Sequence, residues 1–362
     1  YAGSLSRRHG DRWSRADKEK VAREVYTANP DFKLTTLVEY IGGSVSAASA
    51  YVKDITAKRK EAQKMVAYRL HRLGWTQEEI AKAVGCDQRH LDTQFLHLFP
   101  ELENSVKKLL ADGIPHRDVA ERYNMPLILV HAIGLTGQTD AERFLSLNIN
   151  CQPYDVWHFQ KCHDLFGAEY PGRIPGELVA HVLYFYTEPG ACVVDPMVGS
   201  GTTLDVCLAM NRKCYAYDAE VFNERPDVIH HDILTNGWPD RVKKASLIFW
   251  DPPYFKKKDA GYSESSISKL NRDDYLTFFA ERFTEARKLV KQGTRLAFLM
   301  SDWDDVNGEP SITIYDYWQR LEAAGWQVAK HIQVPLSTQQ VHPDIVTKFR
   351  ASRRLARLER YL

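Results

Sequence analysis

Apolar positions along the chain follow two rhythms. Between residues 14 and 135 they recur at helical spacing in short runs broken by Gly, Asn and Pro. The clearest run is Gly74 to Leu91. Thr76, followed three residues later by Glu79, predicts a capping box. Ile80 and Val84 share one helical face, Gly85 ends the helix, and Asp87 can cap the next one. Two short helices joined by a Gly turn predict a helix-turn-helix. Residues 34–52 repeat the pattern with Gly42 in the turn, and residues 116–126 repeat it with Asn124 in the turn and Pro126 opening the next helix. The spacing of the repeats is loose, so one supersecondary unit recurs without a solenoid period. The candidate recognition helices are 46–55 and 88–96. The second carries Gln88, Arg89, His90 and Gln94, all able to reach base edges or phosphates. A helical bundle for protein contacts would show the same pattern, so both readings stay open.

From residue 150 the rhythm changes. Ala191–Asp195, Lys213–Asp218, Ala245–Asp251 and Thr294–Met300 are short apolar runs of buried-strand type, separated by helical stretches such as 202–211 and 273–291. That alternation predicts an α/β fold with a mostly parallel, doubly wound sheet. Three of the runs end in an acid, and ligands of such sheets bind beyond the carboxyl ends of the strands. The expected division is therefore a helical region, 1–150, and an α/β domain, 151–362.

Composition narrows the class. The 362 residues are 44% hydrophobic and 26% charged, ordinary for a globular chain of two or three domains. No apolar run is long enough to span a membrane, and the first residues lack the apolar core of a signal peptide. Six cysteines without a C-x-x-C pair argue against a zinc ribbon or a disulfide framework and suit a reducing cytoplasm. Net charge is only +1, but residues 1–60 hold 12 Lys/Arg against 7 Asp/Glu, and residues 348–362 hold six Lys/Arg against Glu359. Basic ends are found in nucleic-acid binders; a solvated helix face and a loose tail would look alike. The chain starts at Tyr1 without an initiator Met, and trimming at both ends is expected.

Two segments carry candidate chemistry. In Asp195-Pro196-Met197-Val198-Gly199-Ser200-Gly201-Thr202-Thr203 a strand ends at Asp195, Gly199 and Gly201 allow a tight turn and close ligand approach, and Thr202 or Thr203 opens a helix. No third Gly completes a dinucleotide fingerprint and no Gly-Lys-Ser/Thr makes a phosphate loop. The next strand ends at Asp218, where a carboxylate can take both hydroxyls of a ribose or merely cap a helix. In Asp251-Pro252-Pro253-Tyr254 two prolines stiffen a loop that presents acceptors and no competing donors. Such a loop suits an amino group: Asp251 accepts one hydrogen, the Pro252 carbonyl the other, and Tyr254 offers a flat face to a heterocycle.

These two segments together resemble the S-adenosylmethionine-dependent amino methyltransferases of DNA, over residues 151–345. A third block, Asp155-Val156-Trp157-His158-Phe159 and then Glu169 through Leu178, is similar to the family segment that packs on the methionine end of the cofactor. The resemblance implies a Rossmann-like methyltransferase domain. It implies S-adenosylmethionine lined by Pro175, Asp195, Pro196, Gly199, Gly201, Thr202 and Thr203, the ribose on Asp218, and His231 and Asp232 flanking the adenine. Asp251, Pro252, Pro253 and Tyr254 would form the catalytic loop, with duplex DNA as partner, its target base flipped out onto Tyr254, and no metal. Lys256, Lys257 and Lys258 would meet phosphates near that base, and residues 339–344 and the Arg-rich segment after them are further candidate DNA contacts. His163, His181 and His230 read as core or surface residues.

The chain departs from the family in order: the cofactor block precedes the Asp-Pro-Pro-Tyr loop, with only 47 residues between Thr203 and Asp251 and no room for a large recognition insert. The helical region is then the candidate for DNA engagement, an arrangement similar to ParB-related proteins with helix-turn-helix units fused to a methyltransferase. The ParB lobe is not in evidence, and the family's final strand is expected to be missing after Leu362. Adenine N6 is the favoured target. The alternatives are cytosine N4, RNA as substrate, or a ParB-like binder with an inactive domain; oligomeric state is not fixed by the sequence.

Overall fold

The computed structural model describes residues 13–29, 32–159, 161–169, 172–220, 225–255, 266–304, 310–335, 344, 350–351 and 360–362. Lys256, Lys257, Lys258 and nearly all of the 339–359 tail lie outside the described residues. The chain forms two compact units, Tyr1–Val66 and Ala67–Leu362.

The first unit holds α1 (Arg15–Ala28), α2 (Leu34–Ile41), α3 (Val45–Tyr51) and the first turns of α4 (Lys53–Arg72). Ser14 and Asp17 form a capping box at α1, and Ser44 caps α3. Ala22, Leu37, Ile41, Ala48 and Val52 make its small core. The turn between α2 and α3 uses Gly42 and Gly43 at φ 69° and 108°, left-handed angles that favour Gly. The helix expected over 46–55 is broken at Val52, where Arg23 donates to the Tyr51 carbonyl (3.0 Å) and pairs with Asp54 (2.7 Å).

The second unit opens with α5 (Gln77–Val84), α6 (Leu91–Gln94), α7 (Phe99–Ala111), α8 (His116–Arg122), α9 (Leu127–Gly134) and α10 (Asp140–Ser146). The capping box of Thr76 and Glu79 is present, and Gly85 ends α5 in the left-handed conformation. The helix expected over 88–96 is not continuous. It is a 3-10 turn over Gln88–His90, capped by Asp87, followed by the single turn of α6, and buried Phe95 leaves helical geometry. In the unit at 116–126, Asn124 does turn the chain at φ 45°. Its second helix, α9, buries Ile128, Leu129, Val130, Ala132 and Ile133 and packs on α12 (Thr202–Ala209), so it cannot enter a DNA groove.

The sheet holds β1 (Cys192–Asp195), β2 (Lys213–Asp218), β3 (Val228–His230), β4 (Leu247–Trp250) and β5 (Arg295–Phe298), all parallel, in the order β3-β2-β1-β4-β5. This is the Rossmann-like, doubly wound arrangement expected, with strand order reversing between β1 and β4. The strands are apolar on both faces because helices cover both. Val194, Ile248 and Trp250 join an aromatic core with Phe278, Phe279 and Phe283 of α14 (Arg272–Leu289) and Tyr317 of α15 (Ile314–Ala323). Alternate residues point to the opposite face, where α12 packs against β2, α9 and α11 (Gly176–Tyr186). Short α13 (Ile233–Asn236) follows β3, and a hairpin of β6 (Trp303–Asp304) and β7 (Pro310–Ile312) follows β5.

Past β5 the sheet is extended by isolated pairings. Tyr361 pairs antiparallel with Met300 and with Gln333, and Val156 pairs parallel with Gln333. Residues 360–362 lie beside the end of β5, with both Met300–Tyr361 amide bonds made (2.8 and 2.7 Å).

The compact units do not divide at residue 150. Residues 67–150 are built into the α/β unit through buried ion pairs. Arg212, fully buried, meets Asp140 at 2.5 Å, and Arg143 donates to the Ala209 carbonyl. Trp75 stacks on Tyr215 of β2 (centroids 5.8 Å apart) while Glu79 pairs with Arg241. No helix among the described residues is long and apolar enough to cross a membrane.

Candidate active site at the carboxyl end of the sheet

Strand register places the acids. Val193 and Val194 of β1 pair with Leu247 and Ile248 of β4, and Asp195 pairs with Ala216 of β2. Asp218 and Asp251 therefore each stand two residues beyond the level of Asp195, on the strands either side of it, roughly 6–7 Å higher at about 3.3 Å per residue. Asp195 forms the floor at 2% exposure, and Asp218 and Asp251 rise on its two flanks.

A cavity of about 240 Å³ opens there. Its lining includes Pro175, Asp195, Pro196, Gly199, Thr202, Thr203, Asp218, His231, Asp232, Asp251, Pro252, Pro253 and Tyr254. The Gly-rich turn and the Asp-Pro-Pro-Tyr loop, 47 residues apart in sequence, thus face one space. Of the residues expected to line a cofactor, only Gly201 does not. It sits behind the turn at φ 88°, with the Arg225 guanidinium where a Cβ would be.

Each acid is held differently. Burial pushes the Asp195 carboxyl up to about 7; Thr203 and the Met197 N–H (3.0 Å) oppose the rise, while Asp251 and Asp218 add to it. Burial also raises Asp218, although it accepts the Gly199 N–H at 2.8 Å and the Glu220 N–H at 3.0 Å. Those bonds tie the Gly turn to β2 and hold the carboxylate at the cavity wall. Asp232 caps α13, accepting from the Leu234 N–H (2.9 Å) and the Thr235 hydroxyl (3.0 Å). His231 bonds the Gly237 carbonyl at 2.8 Å. Pro253 is fixed by the Tyr275 hydroxyl, which donates to its carbonyl at 3.0 Å. Several carboxylates around one recess attract a ligand that carries positive charge and hydroxyl groups.

Sequence reasoning missed what braces the turn. Asp205 of α12 and Asp227 before β3 alternate with Arg69 of α4 and Arg225 in a buried four-charge cluster. Asp205 also accepts the Gly167 N–H at 2.7 Å, and Arg225 donates to the carbonyls of Ser200 and Gly201 (3.2 and 3.3 Å). Burial would raise Asp227, but the two guanidiniums outweigh it and hold the carboxyl below its ordinary value. Its sequence signal was faint: Asp205 sits in an apolar helical stretch, and its partners lie far away in the chain.

A family profile described as DNA methylase, for N6 and N4 amino methyltransferases, matches residues 44–223. The chain belongs to this family. The matched stretch holds the Gly turn and Asp218 and stops before the Asp-Pro-Pro-Tyr loop. Type II methyltransferase M.BglII from Bacillus subtilis is 32% identical over 90 residues, 24% of this chain and 24% of that relative. The match thus spans about a quarter of the relative's length. No solved structure matches.

His181 has a structural place. His181 is fully buried, accepts the Gln152 N–H at Nε2 (3.0 Å) and bonds the Glu177 carbonyl through Nδ1, inside a ring of Phe144, Trp157 and Phe159. On the helical side, Gln88, Arg89 and His90 are exposed; Arg89 is paired with Asp87 (2.8 Å), and Gln94 is half-buried.

Proposed function

We propose that the protein is an S-adenosylmethionine-dependent DNA methyltransferase acting on the exocyclic amino group of an extruded base, adenine N6 in the first reading and cytosine N4 in the second. One observation carries this: the Gly turn and the Asp-Pro-Pro-Tyr loop line the same cavity, so a donor on one can meet an acceptor on the other.

The donor set suits the cofactor. Asp218 has the position and the carboxylate for ribose hydroxyls, the Gly199 turn allows close backbone approach, and the acidic surround matches a net positive ligand. When bound, S-adenosylmethionine supplies an electrophilic methyl carbon. The chain's own residues prepare the nucleophile. An amino nitrogen on a base is a poor nucleophile because its lone pair is delocalised into the ring. Asp251 and the Pro252 carbonyl accept its two hydrogens, which favours a pyramidal nitrogen with a localised pair. Tyr254 stacks on the base and fixes its plane. Rigid prolines and the Tyr275 anchor hold this geometry in advance, so catalysis rests on positioning and preorganised electrostatics.

DNA would be engaged from residues 1–150, through α3 and the exposed Gln88, Arg89 and His90. The single turn of α6 favours backbone contact over base readout, since a recognition helix needs several side chains along one groove. Lys256, Lys257 and Lys258 would add phosphate contacts beside the site. The setting would be cytoplasmic DNA.

The test is mass spectrometry of nucleosides from DNA and RNA treated with enzyme and cofactor, with Asp251→Ala beside the wild type. N6-methyl-2′-deoxyadenosine from DNA is expected, with turnover lost and S-adenosylhomocysteine binding retained in the variant. Normal methylation by Asp251→Ala would overturn the reading.

A further inference from the structure

Arg360 runs against the charge of the cavity. It precedes Tyr361, whose backbone pairs with Met300 just past β5, so it stands on the carboxyl-end side of the sheet. It is 6% exposed and lines the cavity. Its Nε donates to the Val334 carbonyl at 3.1 Å, and no carboxylate among the described residues lies within ion-pairing distance of it. Each other buried arginine among the described residues makes at least two hydrogen bonds or ion pairs, against one for Arg360. Arg69 and Arg225 meet Asp205 and Asp227, Arg212 meets Asp140, and Arg143 meets the carbonyls of Gln138 and Ala209. A guanidinium offers five N–H donors in a planar fork, and a buried cation without an anion is unfavourable. The anion it lacks among the described residues is one the cavity can receive.

We propose that Arg360 is the oxyanion-binding residue of this cavity, taking a carboxylate or phosphate oxygen of a reactant. The inference rests on the methyltransferase reading. Asp218 on β2 marks the hydroxyl end of the cavity. Arg360 lies on the other side of the switch point, beyond β5, with Asp251 between them in strand order. An oxyanion on that side has two sources: the carboxylate at the amino-acid end of the cofactor, or the phosphate attached to the extruded nucleotide. Both match the fork bidentately. Arg173 also lines the cavity, with one terminal nitrogen on the His163 carbonyl and its Nε unpartnered among the described residues, but it is less buried than Arg360.

Calorimetry on the full chain separates these. Wild type, Arg360→Gln and Arg360→Lys are titrated with S-adenosylhomocysteine and with its decarboxylated amine analogue, and their binding to a duplex with a mispaired target base is followed against salt. If Arg360 holds the cofactor carboxylate, Arg360→Gln weakens S-adenosylhomocysteine about tenfold or more and leaves the amine analogue unchanged, and Lys recovers part of the loss. If it holds the phosphate, both small ligands bind as before, and the slope of log K against log salt falls by about one. Unchanged binding in every arm, or equal losses for both small ligands, would overturn the proposal. Failure of wild type to bind S-adenosylhomocysteine would instead overturn the methyltransferase reading.

Discussion

Replacing Asp195 with Asn should stabilise the fold, and by an amount that depends on pH. Asp195 lies at the cavity floor, 2% exposed, with its carboxyl raised to about 7 by burial and then by the facing charges of Asp251 and Asp218. Its unfolded value is the ordinary 3.8. A carboxyl whose folded pKa lies above its unfolded one contributes stability that is fully present below the unfolded pKa and lost as pH rises through the folded one. The window is therefore about pH 4 to 7. At ~1.4 kcal/mol per pH unit, the full loss is ~4 kcal/mol, reached just above pH 7. Asn has nearly the same shape, can still accept the Met197 N–H, and does not titrate. The advantage of Asp195→Asn over wild type should then grow by about 2–3 kcal/mol between pH 5 and pH 8. Urea unfolding of both proteins at the two pH values measures it. An advantage that stays flat or shrinks with pH would refute the assignment of the cavity's electrostatic strain to this carboxyl.

Two other substitutions probe the surroundings. Asp205→Asn leaves Arg69 and Arg225 sharing Asp227 alone, and removing one partner from a buried cluster costs about 3–5 kcal/mol. Scanning calorimetry should show Tm lowered by roughly 6–15 °C, and a change under about 2 °C would mean the cluster is not what braces the turn. Replacing Lys256, Lys257 and Lys258 together with Gln should flatten the salt dependence of DNA binding, by up to about three in the log–log slope; an unchanged slope would remove these lysines from the interface.

Much of this was legible because local chemistry and tertiary fate agree. The Thr76–Glu79 box, the Gly85 turn and the apolar strand runs each declare themselves within a few residues, and each formed where the pattern put it. The strand-ending acids were legible for the same reason, since parallel strands end at one edge. The second helices of the helical units were less so. A small-residue stretch after a Gly turn fits either a groove-reading helix or a packing helix. Burial decided: α9 packs on α12, and Phe95 draws the chain off helical geometry after α6. The packing of residues 67–150 into the α/β unit was also hidden, because the link consists of single long-range pairs such as Arg212 with Asp140, which leave no periodic trace.

Chain order and site geometry are separable in this family for a reason the register makes plain. Under the proposed function the site needs the Gly turn and the Asp-Pro-Pro-Tyr loop on one cavity, and it needs nothing about which is synthesised first. Here β1 and β4 are neighbours in the sheet although some fifty residues divide them, because β2 and β3 fill the other side of β1. The switch point therefore falls between the strand carrying Asp195 and the strand leading to Asp251. Any connectivity that leaves these two strands adjacent and parallel builds the same pocket. That is why a chain with only 47 residues between its two motifs can still bring them face to face.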